Sequence, residues 1–197
     1  ENDHGTIVVG GRVAEDEFDV TLNGSLTEWT AADRLEVPGS GVANYELYGR
    51  YEVDTYYFAL SAPVAIGANT TFWLNTDRDL NTGYKVWGFA AGAEYNINFD
   101  AAGVPHLYTG ADGQTLVPGA VVNYAFNADR HIVEFSIAAG ALGSTQALDV
   151  YVDVNNSVFL PVSYASYVYT VAAPAPPVSP TIVGSVTLDG LKSEWTA

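Results

Sequence analysis

Asp149-Val150-Tyr151-Val152-Asp153-Val154 sets a valine at every second position, with two acids and a tyrosine between them. Side chains of a β-strand point alternately to its two faces, so the run predicts a strand with an apolar side on a core and the other side in water. Tyr45-Glu46-Leu47-Tyr48-Gly49-Arg50-Tyr51 shows the same period. Outward from these two segments, short alternating or apolar runs are broken by Gly, Pro, Asn and Asp, the punctuation of an antiparallel all-β sandwich. The pattern predicts strands near 6–13, 18–22, 44–52, 54–60, 70–75, 93–99, 104–109, 121–127, 130–137, 148–154 and 164–171. Only Ala138-Ala139-Gly140-Ala141-Leu142 reads as a helical turn.

The two ends of the chain resemble each other. Val20-Thr21-Leu22-Asn23-Gly24-Ser25-Leu26-Thr27-Glu28-Trp29-Thr30-Ala31 returns as Val186-Thr187-Leu188-Asp189-Gly190-Leu191-Lys192-Ser193-Glu194-Trp195-Thr196-Ala197, with eight of twelve positions identical and no gap. The offset of 166 residues exceeds any solenoid repeat, so the repeating unit is a whole domain. Between the copies, Ala172-Ala173-Pro174-Ala175-Pro176-Pro177-Val178-Ser179-Pro180 favours extended polyproline II and reads as a semi-rigid linker. The expected organisation is a β-sandwich module over 1–171, a Pro/Ala-rich linker over 172–180, and in 181–197 the first strand and loop of a second repeat. The same last segment is also a candidate donor for a neighbouring subunit. The recurring Trp reads as a packing anchor at one end of the core, and Asn23-Gly24 as a turn. A first residue of Glu rather than Met reads as a processed or excised piece.

With 197 residues, one core can form without staples, and the chain has no Cys to supply any. Lys and Arg number 7 against 23 Asp and Glu, a formal charge of −16. Such a surface repels phosphate backbones and anionic lipid, which argues against nucleic-acid and membrane-surface partners and makes cations the natural ones. No stretch is long and apolar enough to span a bilayer, so membrane insertion is not expected. Gly, Tyr, Thr, Val and Asn enrichment is that of secreted β proteins, and an extracellular, cell-surface location is the expectation.

One loop carries a chemical signal. Asn75-Thr76-Asp77-Arg78-Asp79-Leu80-Asn81-Thr82-Gly83-Tyr84 follows the strand Thr71-Phe72-Trp73-Leu74 and places oxygen-bearing side chains at 75, 77, 79 and 81. Calcium takes six to eight oxygens, and alternate residues of a loop can turn inward to supply them. Gly83 permits a sharp exit, and Glu94, at the start of the next strand, can complete the shell. Flanking strands and the missing acid at the end of the loop exclude an EF-hand. A plain polar turn accounts for the same composition.

Catalysis finds no such grouping. His4, His106 and His131 are scattered without metal-ligand spacing, and no serine sits in a nucleophile elbow. Aromatic residues make up 13% of the chain, and Trp87 and Tyr84, beside the cation loop, are candidates to stack on a sugar ring. Burial of Trp87 in the core is the alternative for that residue.

Taken in order, Asn23-Gly24 with Glu28-Trp29, Trp73-Leu74-Asn75-Thr76-Asp77-Arg78-Asp79 with Thr82-Gly83-Tyr84, Gly92-Ala93-Glu94-Tyr95, Val133-Glu134-Phe135-Ser136-Ile137 and Asp149-Val150-Tyr151-Val152 resemble family 9 carbohydrate-binding modules and their DOMON-like relatives. The resemblance covers most of 18–171. It implies a jelly-roll-like sandwich with structural calcium at positions matching Asn75, Asp77, Asp79 and Glu94, and sugar binding by aromatic residues in a cleft. Haem-binding relatives use Met and His ligands, and this chain has no Met.

The functional expectation is a structural or adhesive, calcium-stabilised repeat module of an extracellular surface protein or filament, not an enzyme. Its partners are then adjacent repeats or neighbouring copies, joined covalently or by strand addition through 181–197. The alternative is a carbohydrate-binding module of a secreted multidomain protein, with glycans as partners.

Overall fold

The computed structural model describes residues 20–86, 91–109, 112–162 and 166–175. The expectations for a strand at 6–13, for Trp87 and for the segment 181–197 lie outside these residues.

Among the described residues eleven strands form two antiparallel sheets. In chain order they are β1 (Glu46–Glu52), β2 (Thr55–Ser61), β3 (Thr71–Asn75), β4 (Tyr95–Phe99), β5 (Pro105–Thr109), β6 (Thr115–Leu116), β7 (Val122–Phe126), β8 (Ile132–Ala138), β9 (Ala147–Val154), β10 (Val158–Leu160) and β11 (Tyr169–Ala172). One sheet runs β1-β2-β8-β7; the other runs β10-β9-β3-β4-β5-β6, with β11 beside β10 on the same edge of β9. Consecutive strands β2 and β3 fall in different sheets, and each pairs with a late strand, β8 or β9. This winding is the all-β, jelly-roll-like sandwich expected.

Valines 150, 152 and 154 of β9 face inward, as their period requires, and Asp149, Tyr151 and Asp153 lie on the outer face. Between the sheets the core is knit by phenylalanines. Phe72 of β3 meets Phe135 of β8 edge-on at 4.6 Å, and Phe58 of β2 stacks on Phe135 at 5.3 Å. Fully burying such a ring contributes about 1.5–3 kcal/mol.

Three expectations need correction. Residues 20–22 form no strand, and the last strand begins at Tyr169 rather than 164 among the described residues. The two short strands β6 and β10 carry no period of their own to announce them. The helical turn expected at 138–142 is present, as a single 3-10 turn over Ala139–Leu142. Trp29 does not plug the end of the main core. It lies on the outer face of the four-stranded sheet, in a second cluster with Val20, Tyr48 and Ala59.

That cluster sits under a strap formed by the first described residues. Glu134 of β8, fully buried on the outer face, accepts backbone N–H groups from Asn23, Gly24 and Ser25 on Oε2 at 2.9, 2.7 and 3.2 Å. Its Oε1 accepts the indole N–H of Trp29 at 2.8 Å. A buried carboxylate needs such donors, because isolation in an apolar site would cost several kcal/mol.

Candidate functional site

The outer face of the larger sheet carries two adjoining features, both built on β3. Trp73 and Asn75 point the same way, two residues apart.

The first feature is the loop 75–84, the candidate cation site. Thr82 Oγ1 lies 3.1 and 2.9 Å from the two carboxylate oxygens of Asp77, 2.9 Å from the carbonyl of Asp79 and 3.3 Å from Oε1 of Glu94. One hydroxyl proton cannot serve four acceptors. Asn75, fully buried, donates Nδ2 to the carbonyl of Ala91 at 3.0 Å, while its Oδ1 has no hydrogen-bond partner. A buried acceptor without a donor calls for an ion or water. Gly92, at φ +61°, brings the two parts together: a Cβ there would lie 2.3 Å from the Asp79 carbonyl and 2.9 Å from Asn75 Nδ2.

The donor set is thus carboxylate (Asp77, Glu94), carbonyl (Asp79), hydroxyl (Thr82) and amide (Asn75), the hard oxygens calcium prefers. Among the described residues no three His, Cys, Asp or Glu side chains gather as a metal group. The fit therefore depends on neutral oxygens for most of the shell. Two expected ligands behave differently from the simple alternation. The Asp79 carboxylate is engaged by Asn81, through its backbone N–H at 2.9 Å and its side-chain Nδ2 at 2.8 Å. It is the carbonyl of Asp79 that joins the cluster, and Asn81 acts as its clasp. These Asn81 bonds hold the exposed Asp79 carboxyl below its ordinary value. Arg78, the loop's one basic residue, reaches away to Asp149 at 3.1 Å and leaves the oxygens uncompensated.

The second feature is a cleft of about 510 Å³, within the range of small-molecule sites. Strand register fixes its floor. Trp73 stands opposite Asn96 of β4, which stands opposite Tyr108 of β5; one row over, Asp153, Thr71 and Asn98 align in the same way. Tyr84, the turn at 112–114 and Asn156 form the walls. Trp73 is held by its indole N–H to Asp153 at 2.9 Å, and Tyr84 stacks on it with ring centroids 5.0 Å apart at 27°. Gly113, at φ +67°, lets the turn rest on the indole, since a Cβ would meet Trp73 Cζ3 at 2.9 Å.

Asn96 donates to the carbonyl of Gly113 at 2.6 Å and Asn98 to Thr71 Oγ1 at 3.1 Å, which orients both amides. Beneath the wall, burial and then the charge of Asp149 push the Tyr151 phenol up to about 12, so it stays neutral.

Of the two expected sugar-stacking residues, Tyr84 lines the cleft and Trp87 lies outside the described residues. Trp73, Tyr108, Asn96, Asn98 and Asp153 were not anticipated. A signal existed: Tyr95-Asn96-Ile97-Asn98-Phe99 puts two amides on the face away from the core. Which strands would flank them was not readable. Compared with protein-family models, with curated proteins and with solved structures, the chain matches none.

Proposed function

We propose that the chain is a carbohydrate-binding module of a secreted surface protein, with calcium in the 75–84 loop as a structural ion at the cleft's rim. The observation that supports this best is the cleft lining: aromatic rings of Trp73, Tyr84 and Tyr108 interleaved with the amides of Asn96 and Asn98 and the carboxylate of Asp153. Aromatic faces bind the apolar face of a pyranose while oriented amides and carboxylates meet its hydroxyls. Among the described residues no Lys, Arg or His lines the cleft, which favours neutral sugars over uronates or sulfated chains. A glycan array screened with the wild-type chain, Trp73→Ala and Tyr108→Ala tests the reading. Binding of a neutral oligosaccharide that both variants lose supports it, and an array blank for the folded wild type overturns it.

A second reading, a structural or adhesive repeat, draws on the strap. Its determinants are a glycine, a run of backbone N–H groups and an indole, and all recur in Asp189-Gly190-Leu191 and Trp195. The recurrence supports an equivalent acid waiting in a following repeat or, by exchange, the Glu134 of a neighbouring copy. Sedimentation of the full chain beside Trp195→Ala separates these: concentration-dependent assembly lost in the variant supports exchange, and a monomer in both argues for the covalent array.

A further inference from the structure

The cation loop and the cleft share a segment. Tyr84, the last residue of the loop, is tied to Ala93 by two backbone bonds, its N–H to the Ala93 carbonyl at 2.7 Å and its carbonyl from the Ala93 N–H at 3.0 Å. The next residue, Glu94, supplies one carboxylate of the oxygen cluster and accepts the Thr76 N–H at 2.8 Å. Gly83, at φ +59°, presses against both, with a Cβ position 2.5 Å from Glu94 Oε1 and 2.6 Å from the Ala93 carbonyl. The pair Ala93-Glu94 therefore holds the cation oxygens with one residue and the cleft's aromatic wall with the other.

The two stacked rings differ in anchorage. Trp73 is fixed by its strand, which pairs with β4 and β9, and by Asp153. Tyr84 hangs on a loop whose residues 77–83 are all exposed. Without a cation, the Asp77 and Glu94 carboxylates converge on one hydroxyl, and like charges at such range repel. Residues 77–83 have little to lose by moving, since none of them is buried.

We propose that calcium in the 75–84 loop sets Tyr84 against Trp73, so that the cleft takes its binding form in the calcium-loaded chain alone. The proposal rests on the calcium and cleft reading above. By linkage, whatever binds the cleft then tightens calcium by the same factor that calcium tightens it.

The test uses the full chain and calcium chloride as the sole ligand. Calorimetry measures calcium binding, hydrogen exchange follows the Tyr84 amide, and near-ultraviolet circular dichroism follows the Trp73–Tyr84 pair. The expected result is calcium heat, with Tyr84 exchange at least about tenfold faster in EDTA while Phe72–Leu74 is unchanged. The aromatic signal should fall in EDTA, and Tyr84→Leu should lack that response while still binding calcium. Asp77→Asn in calcium should reproduce the EDTA pattern. Calcium heat with unchanged Tyr84 protection and an unchanged aromatic signal overturns the coupling and leaves the cation site standing. Absence of calcium heat removes the site itself, and the coupling with it.

Discussion

Trp29 donates its indole N–H to the carboxylate of Glu134 at 2.8 Å, across 105 residues of chain, and the acid has no exposed surface at all. The other oxygen takes three consecutive backbone N–H groups, so both ends of the carboxylate are occupied by the strap. Glu134→Gln keeps the shape but turns an NH₂ toward donors on one side or the other. A buried donor facing a donor costs about 2–4 kcal/mol. The urea midpoint should fall accordingly with an unchanged m-value, and a midpoint equal to wild type would show that the strap adds nothing to the fold.

Gly24 and Gly119 make a controlled pair. Both have positive φ, +77° and +75°, but a Cβ at Gly24 would lie 2.5 Å from the Asn127 nitrogen while one at Gly119 meets nothing within 4 Å. Gly119→Ala should cost about 1–2 kcal/mol, the left-handed backbone penalty alone. Gly24→Ala should cost about 1–3 kcal/mol more, because backbone must shift to admit the methyl group. Equal costs would mean that the strap rides freely over β7 and β8.

How much of this was legible follows from which forces are local. Val150, Val152 and Val154 announce their strand and its buried face because period two is written in the residues themselves. Asn75, Asp77 and Glu94 were readable as candidate ligands for the same reason, since a loop carries its own oxygens. The exchange of roles at Asp79, carbonyl in and carboxylate out, was not, because it depends on the loop's path and the Asn81 clasp. Glu134 falls within the strand expected at 130–137, with no role of its own there. Its partner lies 105 positions earlier, a distance at which no local pattern acts. Trp73 and Tyr108 belong to different strands separated by β4, and only the register of three strands makes them one floor.

Calcium should raise the melting temperature of the wild-type chain and leave Asp77→Asn nearly unmoved. A ligand that binds the native state alone adds about 2.7 kcal/mol at a hundredfold excess over its dissociation constant. Asp77 is the side chain to change, because it is exposed and bonds within the loop, so its loss removes affinity with little other damage. Scanning calorimetry in calcium and in EDTA reads the difference. Identical melts of the wild-type chain in both would sink the site.

The pair Asp33–Arg50 should govern the acid limb of stability. Arg50 binds Asp33 through two nitrogens, Nε at 2.9 Å and Nη2 at 2.7 Å, and Thr30 adds its N–H and hydroxyl at 2.8 and 2.7 Å. Burial pushes the Asp33 carboxyl up, but the bonds from Arg50 and Thr30 and the arginine's charge outweigh it and hold the group below its ordinary value. A carboxyl whose folded pKa is depressed contributes stability that is whole above its unfolded pKa, about 3.9, and is lost as pH falls through the folded value. Asp33→Asn should therefore cost about 2–4 kcal/mol near neutrality, where Arg50 loses this carboxylate, and less as the pH drops below about 4. Urea melts at pH 7, 5, 4 and 3 should show the curves for wild type and variant converging toward the acid end. A gap of constant size across that range would assign the cost to packing rather than to the ion pair.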